Sequence, residues 1–239
     1  MNAFTINLNA IVCEPQLNGY WLWQVEIDEQ MAAEDLLGQV LSLSSDSLPS
    51  NQFIETWLFA INGQSLQLLS KDANHAESTI DETSTWQLSL NRETQSQRLD
   101  WQKPILLVAE NLAMANAFVI AKQSQLVQGR CQVILGSEDG FPFMLKPARF
   151  IMDMMPAQAI GACTLLEDWK IPNRLASQSG VAGCFDGSTL ECLSEYLHNC
   201  QRFGDLTDLQ IVIFSDAENN DDFKKLCQQF SQVDCHIFA

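Results

Sequence analysis

Short apolar runs, often alternating with polar residues, crowd the first hundred positions of the chain. They occupy Phe4–Pro15, Tyr20–Asp28, Gly38–Ser45, Phe53–Ile61, Ser65–Lys71 and Thr85–Glu93. A period of two is the mark of a strand with one face buried. Gly, Asn, Asp, Ser or Pro separates most of the runs, as turns require. Closely spaced strands of this kind predict a small antiparallel barrel or sandwich. Residues 71–84, "KDANHAESTIDETS", are polar and acidic and read as an exposed loop.

Beyond residue 100 the period changes. Pro104–Ala109, "PILLVA", is a charge-free run of strand length, and Leu112–Leu126 keeps the spacing of three or four that predicts a helix. Cys131–Gly136 reads as the next strand. After an irregular Pro-rich stretch and Gln158–Trp169 come a helix at Ser188–Cys200 and a strand at Leu209–Ser215. A helix at Asn220–Ser231 and a closing strand at Asp234–Phe238 complete the chain. Strands alternating with helices predict a parallel sheet covered on both faces. Two domains follow, a β-barrel over residues 1–100 and an α/β domain over 101–239, with the boundary near Leu99–Lys103. No internal repeat is visible.

With 46% hydrophobic and 18% charged residues the chain is globular, and no apolar run reaches membrane-spanning length. The first fifteen residues lack the basic region of a secretory signal, so a cytoplasmic protein with its eight cysteines reduced is expected. The net charge is −17, with 14 Asp and Glu against 3 Lys and Arg in residues 1–100 and 16 against 10 in the rest. A field of this sign repels nucleic acid and anionic membrane surfaces. It serves solubility and, among partners, suits a basic protein.

The order of landmarks resembles the ferredoxin–NADP reductase superfamily, whose barrel holds a flavin and whose Rossmann-like second domain holds a nicotinamide nucleotide. Gly38–Ser44, "GQVLSLS", is similar to that family's Pro-Gly-Gln-Phe strand. Trp57–Ile61, "WLFAI", is similar to its Arg-Pro-Phe-Ser-Ile segment. "PILLVAENLAMANAFVIAK" resembles the strand, Gly-Gly-Thr-Gly turn and helix that open the nucleotide domain. Val133–Asp139 resembles the second strand there, and Ile211–Leu226 the strand–Cys-Gly-Pro–helix unit. Gly180–Leu193, "GVAGCFDGSTLECL", gives the resemblance its flavour of the electron-transfer subunit of dihydroorotate dehydrogenase.

The resemblance fails where the family's cofactor chemistry lies. Trp57 stands at the position of the arginine that neutralises the flavin pyrophosphate, Phe59 follows, and Ala60 replaces the serine. Without the arginine, the phosphates lack a bidentate partner. In the nucleotide turn, Glu110, Asn111 and Leu112 replace the glycines that let a backbone approach a pyrophosphate. A carboxylate there repels phosphate while favouring the helix start, and Asn111 suits the N-cap. Near the C-terminus Ser215 and Asp216 replace the Cys-Gly of the family motif, although a serine retains some capacity to hydrogen-bond a nicotinamide.

Other residue types add little. No Cys-x-x-Cys pair or Cys/His pair at zinc spacing occurs, so no metal is expected. The electron-transfer subunit it resembles carries a four-cysteine iron–sulfur segment. Gly161–Cys163, "GAC", is a fragment of such a motif without companions at cluster spacing. Cys184, Cys192 and Cys200 read as packed thiols. His75, His198 and His236 neighbour no nucleophile motif. In Leu165–Ser177, Trp169 and Arg174 suit either an interface or a strand-to-loop crossover with Arg174 paired to an acid. Two functions follow from the resemblance. The first is a non-catalytic partner or regulatory module, with no cofactor expected and a protein partner. The second is a divergent electron-transfer subunit using FAD and NAD(P)H, with Trp57 or Phe59 stacking on the flavin.

Overall fold

The structure, a computed structural model, describes residues 3–28, 30–49, 52–71, 84–91, 99–204, 206–215 and 219–238. The chain divides into two compact units, Met1–Ser96 and Gln97–Ala239.

The first unit is a closed antiparallel barrel of six strands: β1 (Ala3–Pro15), β2 (Tyr20–Ile27), β3 (Leu41–Ser45), β4 (Ile54–Asn62), β5 (Ser65–Lys71) and β6 (Trp86–Asn91). Their order around the barrel is β1-β2-β5-β4-β3-β6. Closure depends on the length of β1, whose first half pairs with β6 and whose second half pairs with β2. An irregularity between Leu8 and Ala10 separates the halves, as a bulge does where a strand bends. The inward positions foreseen by alternation are filled: Trp23, Val25, Leu41, Leu43, Leu58, Leu66, Leu68 and Leu88 are fully buried. Trp23 Nε1 satisfies its polar end by donating to Ser70 Oγ at 2.8 Å.

The second unit contains β7 (Ile105–Glu110), α1 (Met114–Leu126), β8 (Cys131–Gly136), β9 (Leu145–Pro147), β10 (Gly161–Cys163) and α2 (Thr164–Asp168). It continues with β11 (Asn173–Ser177), β12 (Phe185–Asp186), α3 (Thr189–Phe203), β13 (Gln210–Phe214), α4 (Asn220–Gln228) and β14 (Asp234–Phe238). Six of these strands form a parallel sheet in the order β12-β11-β8-β7-β13-β14, and β9 pairs with β10 separately. All six residues of β7 are buried, as expected of a central parallel strand. α1 is buried along most of its length, with Phe118, Val119 and Ile120 in the core. From β7 the chain runs outward through β8, β11 and β12, then returns to the other side of β7 to form β13. The order therefore reverses at the β7–β13 boundary.

Two local expectations need correction. Asn111 is not an N-cap: it opens a one-turn 3-10 segment, Asn111–Ala113, with φ of 49°. The extended residue preceding that turn is Glu110, the last residue of β7 rather than a turn residue. Asparagine tolerates the left-handed region because its short side chain bonds locally. The second correction concerns Arg174, which lies inside β11 and is 8% exposed. Its guanidinium donates to the carbonyls of Asn173 (2.6 Å) and Phe150 (2.9 Å). Trp169 meets Phe118 edge-on at 6.3 Å and carries the Lys122 ammonium 4.8 Å above its ring. Both side chains are committed to packing within the unit.

Candidate functional site

Open parallel sheets bind ligands outside the carboxyl ends of their strands, where strand order reverses. Here that place is the boundary between the ends of β7 and β13. Glu110 ends β7 and is 6% exposed. Asn219, at the start of α4, donates from Nδ2 to Glu110 Oε1 at 2.7 Å. The crevice at the reversal point is thus bridged by the protein's own side chains.

A cavity of about 130 Å³ adjoins the bridge, smaller than the roughly 300–1,000 Å³ of a pocket for a drug-sized ligand. Its lining includes Glu110, Asn111, Ser137, Glu138, Ser177, Ser188, Thr189 and Asn219, together with the apolar Ala176, Leu190 and Phe223. No Lys or Arg belongs to that lining among the described residues. The serine hydroxyls are engaged in local structure. Ser137 Oγ donates to the Gly140 carbonyl, and Ser177 shares a hydrogen bond with Ser179 at 2.8 Å. Asn111 Oδ1 accepts from the Glu138 amide at 3.3 Å.

Ser188 and Glu191 form a capping box at the start of α3. Ser188 Oγ accepts from the Glu191 amide at 3.1 Å, and Glu191 Oε2 accepts from the Ser188 amide at 2.8 Å. Those hydrogen bonds to Ser188, first from its amide and then from its hydroxyl, hold the Glu191 carboxyl below its ordinary range. α4 carries Asp221 and Asp222 in its first turn. The starts of α3 and α4 are therefore already supplied with carboxylates, the charge their dipoles favour, whereas the first turn of α1 carries none.

The sequence-derived positions fall into two groups. Glu110 and Asn111 line the cavity; Leu112 is half-buried beside them and does not. Ser215 is fully buried just past β13, and its hydroxyl donates to Asn220 Oδ1 at 2.6 Å, at the start of α4. That proton is already committed to the helix start. Asp216 and His75 lie outside the described residues, as does most of the acidic stretch at 71–84. In the barrel, Trp57 is 5% exposed and pairs with Leu69, while Phe59 falls at the irregularity between Leu58 and Ala60. The groove of about 470 Å³ on the barrel is lined by Ser42, Ser44, Ser45, Asp46, Phe53 and Ser89, with Leu48, Pro49 and Gln52. Trp57, Phe59 and Ala60 are not part of it, and no Lys or Arg lines it among the described residues.

Tested against these residues, a dinucleotide fits poorly. A pyrophosphate needs backbone amides it can approach and cations or dipoles left for it. The crevice offers a buried carboxylate tied to Asn219. Gly136, at the end of β8, is packed directly against α3, since a Cβ there would lie 1.7 Å from Thr189 Oγ1. The described barrel groove supplies a carboxylate and serines rather than a guanidinium.

Sequence reasoning missed Asn219, Thr189 and the capping box. Only the last had a local signal, Ser188-Thr189-Leu190-Glu191, which is the S-x-x-E pattern of a helix start.

A closed six-stranded antiparallel barrel followed by a parallel-sheet α/β domain is the fold of the ferredoxin reductases. Solved structures of that class superpose on the chain from end to end. A ferredoxin reductase of carbazole 1,9a-dioxygenase matches with a TM-score of 0.66 and 11% identity, over 100% of this chain and 70% of its own. The Amycolatopsis cytochrome P450 reductase GcoB matches at 0.62 and 10%, over 99% and 70%. A ferredoxin NADP+ reductase from Neisseria gonorrhoeae, solved with FAD and NADP bound, matches at 0.57 and 12%, over 100% of both chains. At such identities the likeness is one of fold. No protein-family model matches the sequence, and no curated protein does.

Proposed function

We propose that this chain is a ferredoxin-reductase-fold protein that has given up flavin and nicotinamide binding and acts as a non-catalytic partner or regulatory module. The observation that carries the reading is the Glu110–Asn219 hydrogen bond across the strand-order reversal, where the fold class takes its nucleotide. Glu110 itself supports it, since a buried carboxylate at the end of β7 stands where a phosphate would meet the start of α1, and α3 and α4 already carry carboxylates in their first turns. The partner suited to a chain of net charge −17 is a basic protein, drawn in by long-range attraction and released by salt.

The test is direct. The purified protein is expected to be colourless, without the flavin band near ~450 nm that the cofactor itself supplies. Calorimetric titration with FAD, NAD and NADP should give dissociation constants weaker than about 1 μM, or −8 kcal/mol. A yellow protein, or tight binding of any of the three, would replace this reading with that of a divergent electron-transfer subunit.

A further inference from the structure

Away from the cavity, at the edge of the parallel sheet, two thiols meet. Cys227 lies in the last turns of α4 and Cys235 in β14, where it pairs with Ile211 of β13. Their sulfurs are 2.6 Å apart, well inside van der Waals contact for two sulfur atoms and within about 0.6 Å of a bonded pair. Both residues are half-buried, packed against the core cluster that includes Leu226 and Ile211. A thiol that serves only as packing needs no second sulfur aimed at it.

We propose that Cys227 and Cys235 form a redox site, a dithiol that a low-molecular-weight disulfide converts into an intramolecular disulfide. In the first step the Cys227 thiolate attacks one sulfur of the external disulfide. An S–S bond forms to Cys227, the external S–S bond breaks, and one external thiolate leaves and takes up a proton. In the second step Cys235 loses its proton and attacks Cys227 Sγ, and the second external thiol leaves. Two protein thiols are oxidised to one disulfide, and the external disulfide is reduced to two thiols.

The site assigns the two roles. The hydrogen bond between the two sulfurs, in which either can donate, stabilises a thiolate of the pair and draws the Cys227 thiol pKa down. The same bond, followed by burial, pushes the Cys235 thiol up, leaving it as the resolving partner. The other cysteines of the unit are poorly placed for exchange. Burial pushes Cys131 and Cys192 up to about 12, and Cys163 and Cys184 up to about 11; it also raises Cys200. Cys13 lies in the barrel unit, with no second cysteine in residues 1–96.

The closed bond ties the end of α4 to β14, and α4 is the helix whose first turn begins beside Asn219. The test uses the full chain, reduced, desalted and incubated with oxidised glutathione. After denaturation the eight thiols should fall to six, with a mass loss of two hydrogens and a Cys227–Cys235 peptide on mapping. Cys235→Ser should instead retain one glutathionyl group, on Cys227. Eight thiols remaining in the wild type, a glutathionyl group that persists there, or a bridge between other cysteines would overturn the proposal. Peptide mapping of the wild type reads the bridge directly and requires no variant to fold.

Discussion

Asn219 donates a hydrogen bond to Glu110 at 2.7 Å, joining residues 109 positions apart where the order of the parallel sheet reverses. A buried carboxylate stripped of such a donor keeps its desolvation cost. Asn219→Ala is therefore expected to destabilise the protein by about 1.5–3 kcal/mol, the range for a hydrogen bond to a charged group. Urea denaturation measures it, and a change under about 0.5 kcal/mol would mean that the bond does not hold the crevice.

The same relationship sets what is needed to restore phosphate binding. Glu110→Gly with Asn111→Gly removes the carboxylate and frees the backbone. Because Asn111 already has a φ of 49°, glycine suits its backbone, so the cost should come from the lost Asn219 bond at residue 110 and the lost Glu138 amide bond at residue 111. Titration with NAD should show tighter binding in the double variant than in the wild type. Equal binding by both would show that Glu110 is not what keeps phosphate out.

Much of this arrangement was legible in the chain. The runs at β7, β8 and β13 are apolar and free of charge up to their ends, so burial on both faces could be read directly. β11 was not, because "NRLAS" places three polar residues in a wholly buried strand. Asn173 is acceptable there only through its bonds to the Cys163 amide and the Cys163 and Ile171 carbonyls, contacts that no local pattern contains. β9, β10 and β12, of three, three and two residues, are too short to show a period. In the site, the loss of glycines was visible at Glu110. Its restraint by Asn219 was not, since that contact exists only once β7 and β13 are neighbours.

Arg174 offers a test between packing and interface. Its guanidinium loses solvation in β11, and that burial lowers its pKa against the opposing pull of Glu167. Arg174→Leu would leave the Asn173 and Phe150 carbonyls without their donors. Stability should fall by about 2 kcal/mol or more. An exposed interface residue would leave it within about 0.5 kcal/mol.

Gly136 carries a steric prediction. A Cβ there meets Thr189 Oγ1 at 1.7 Å and Thr189 Cβ at 2.9 Å, so the start of α3 rests directly on the end of β8. Gly136→Ala is expected to cost about 1–3 kcal/mol through overpacking. Thr189→Gly in the same chain should recover part of that cost. A double-mutant cycle with no coupling between the two positions would sink the explanation.

The capping box of α3 predicts a pH effect with a definite sign. Ser188 holds the folded-state pKa of Glu191 below its value in the unfolded chain, near ~4.3. A depressed carboxylate contributes stability that is present above the unfolded value and lost as pH falls through the folded one. The wild type should therefore lose stability between about pH 5 and pH 3 more steeply than Glu191→Gln, whose side-chain oxygen still accepts from the Ser188 amide but does not titrate. Ser188→Ala should cost about 1 kcal/mol at neutral pH and flatten the same acid limb, because it removes the hydroxyl contribution to the shift. Parallel pH profiles for the wild type and Glu191→Gln would mean that the capping box is no stronger folded than its two residues are apart.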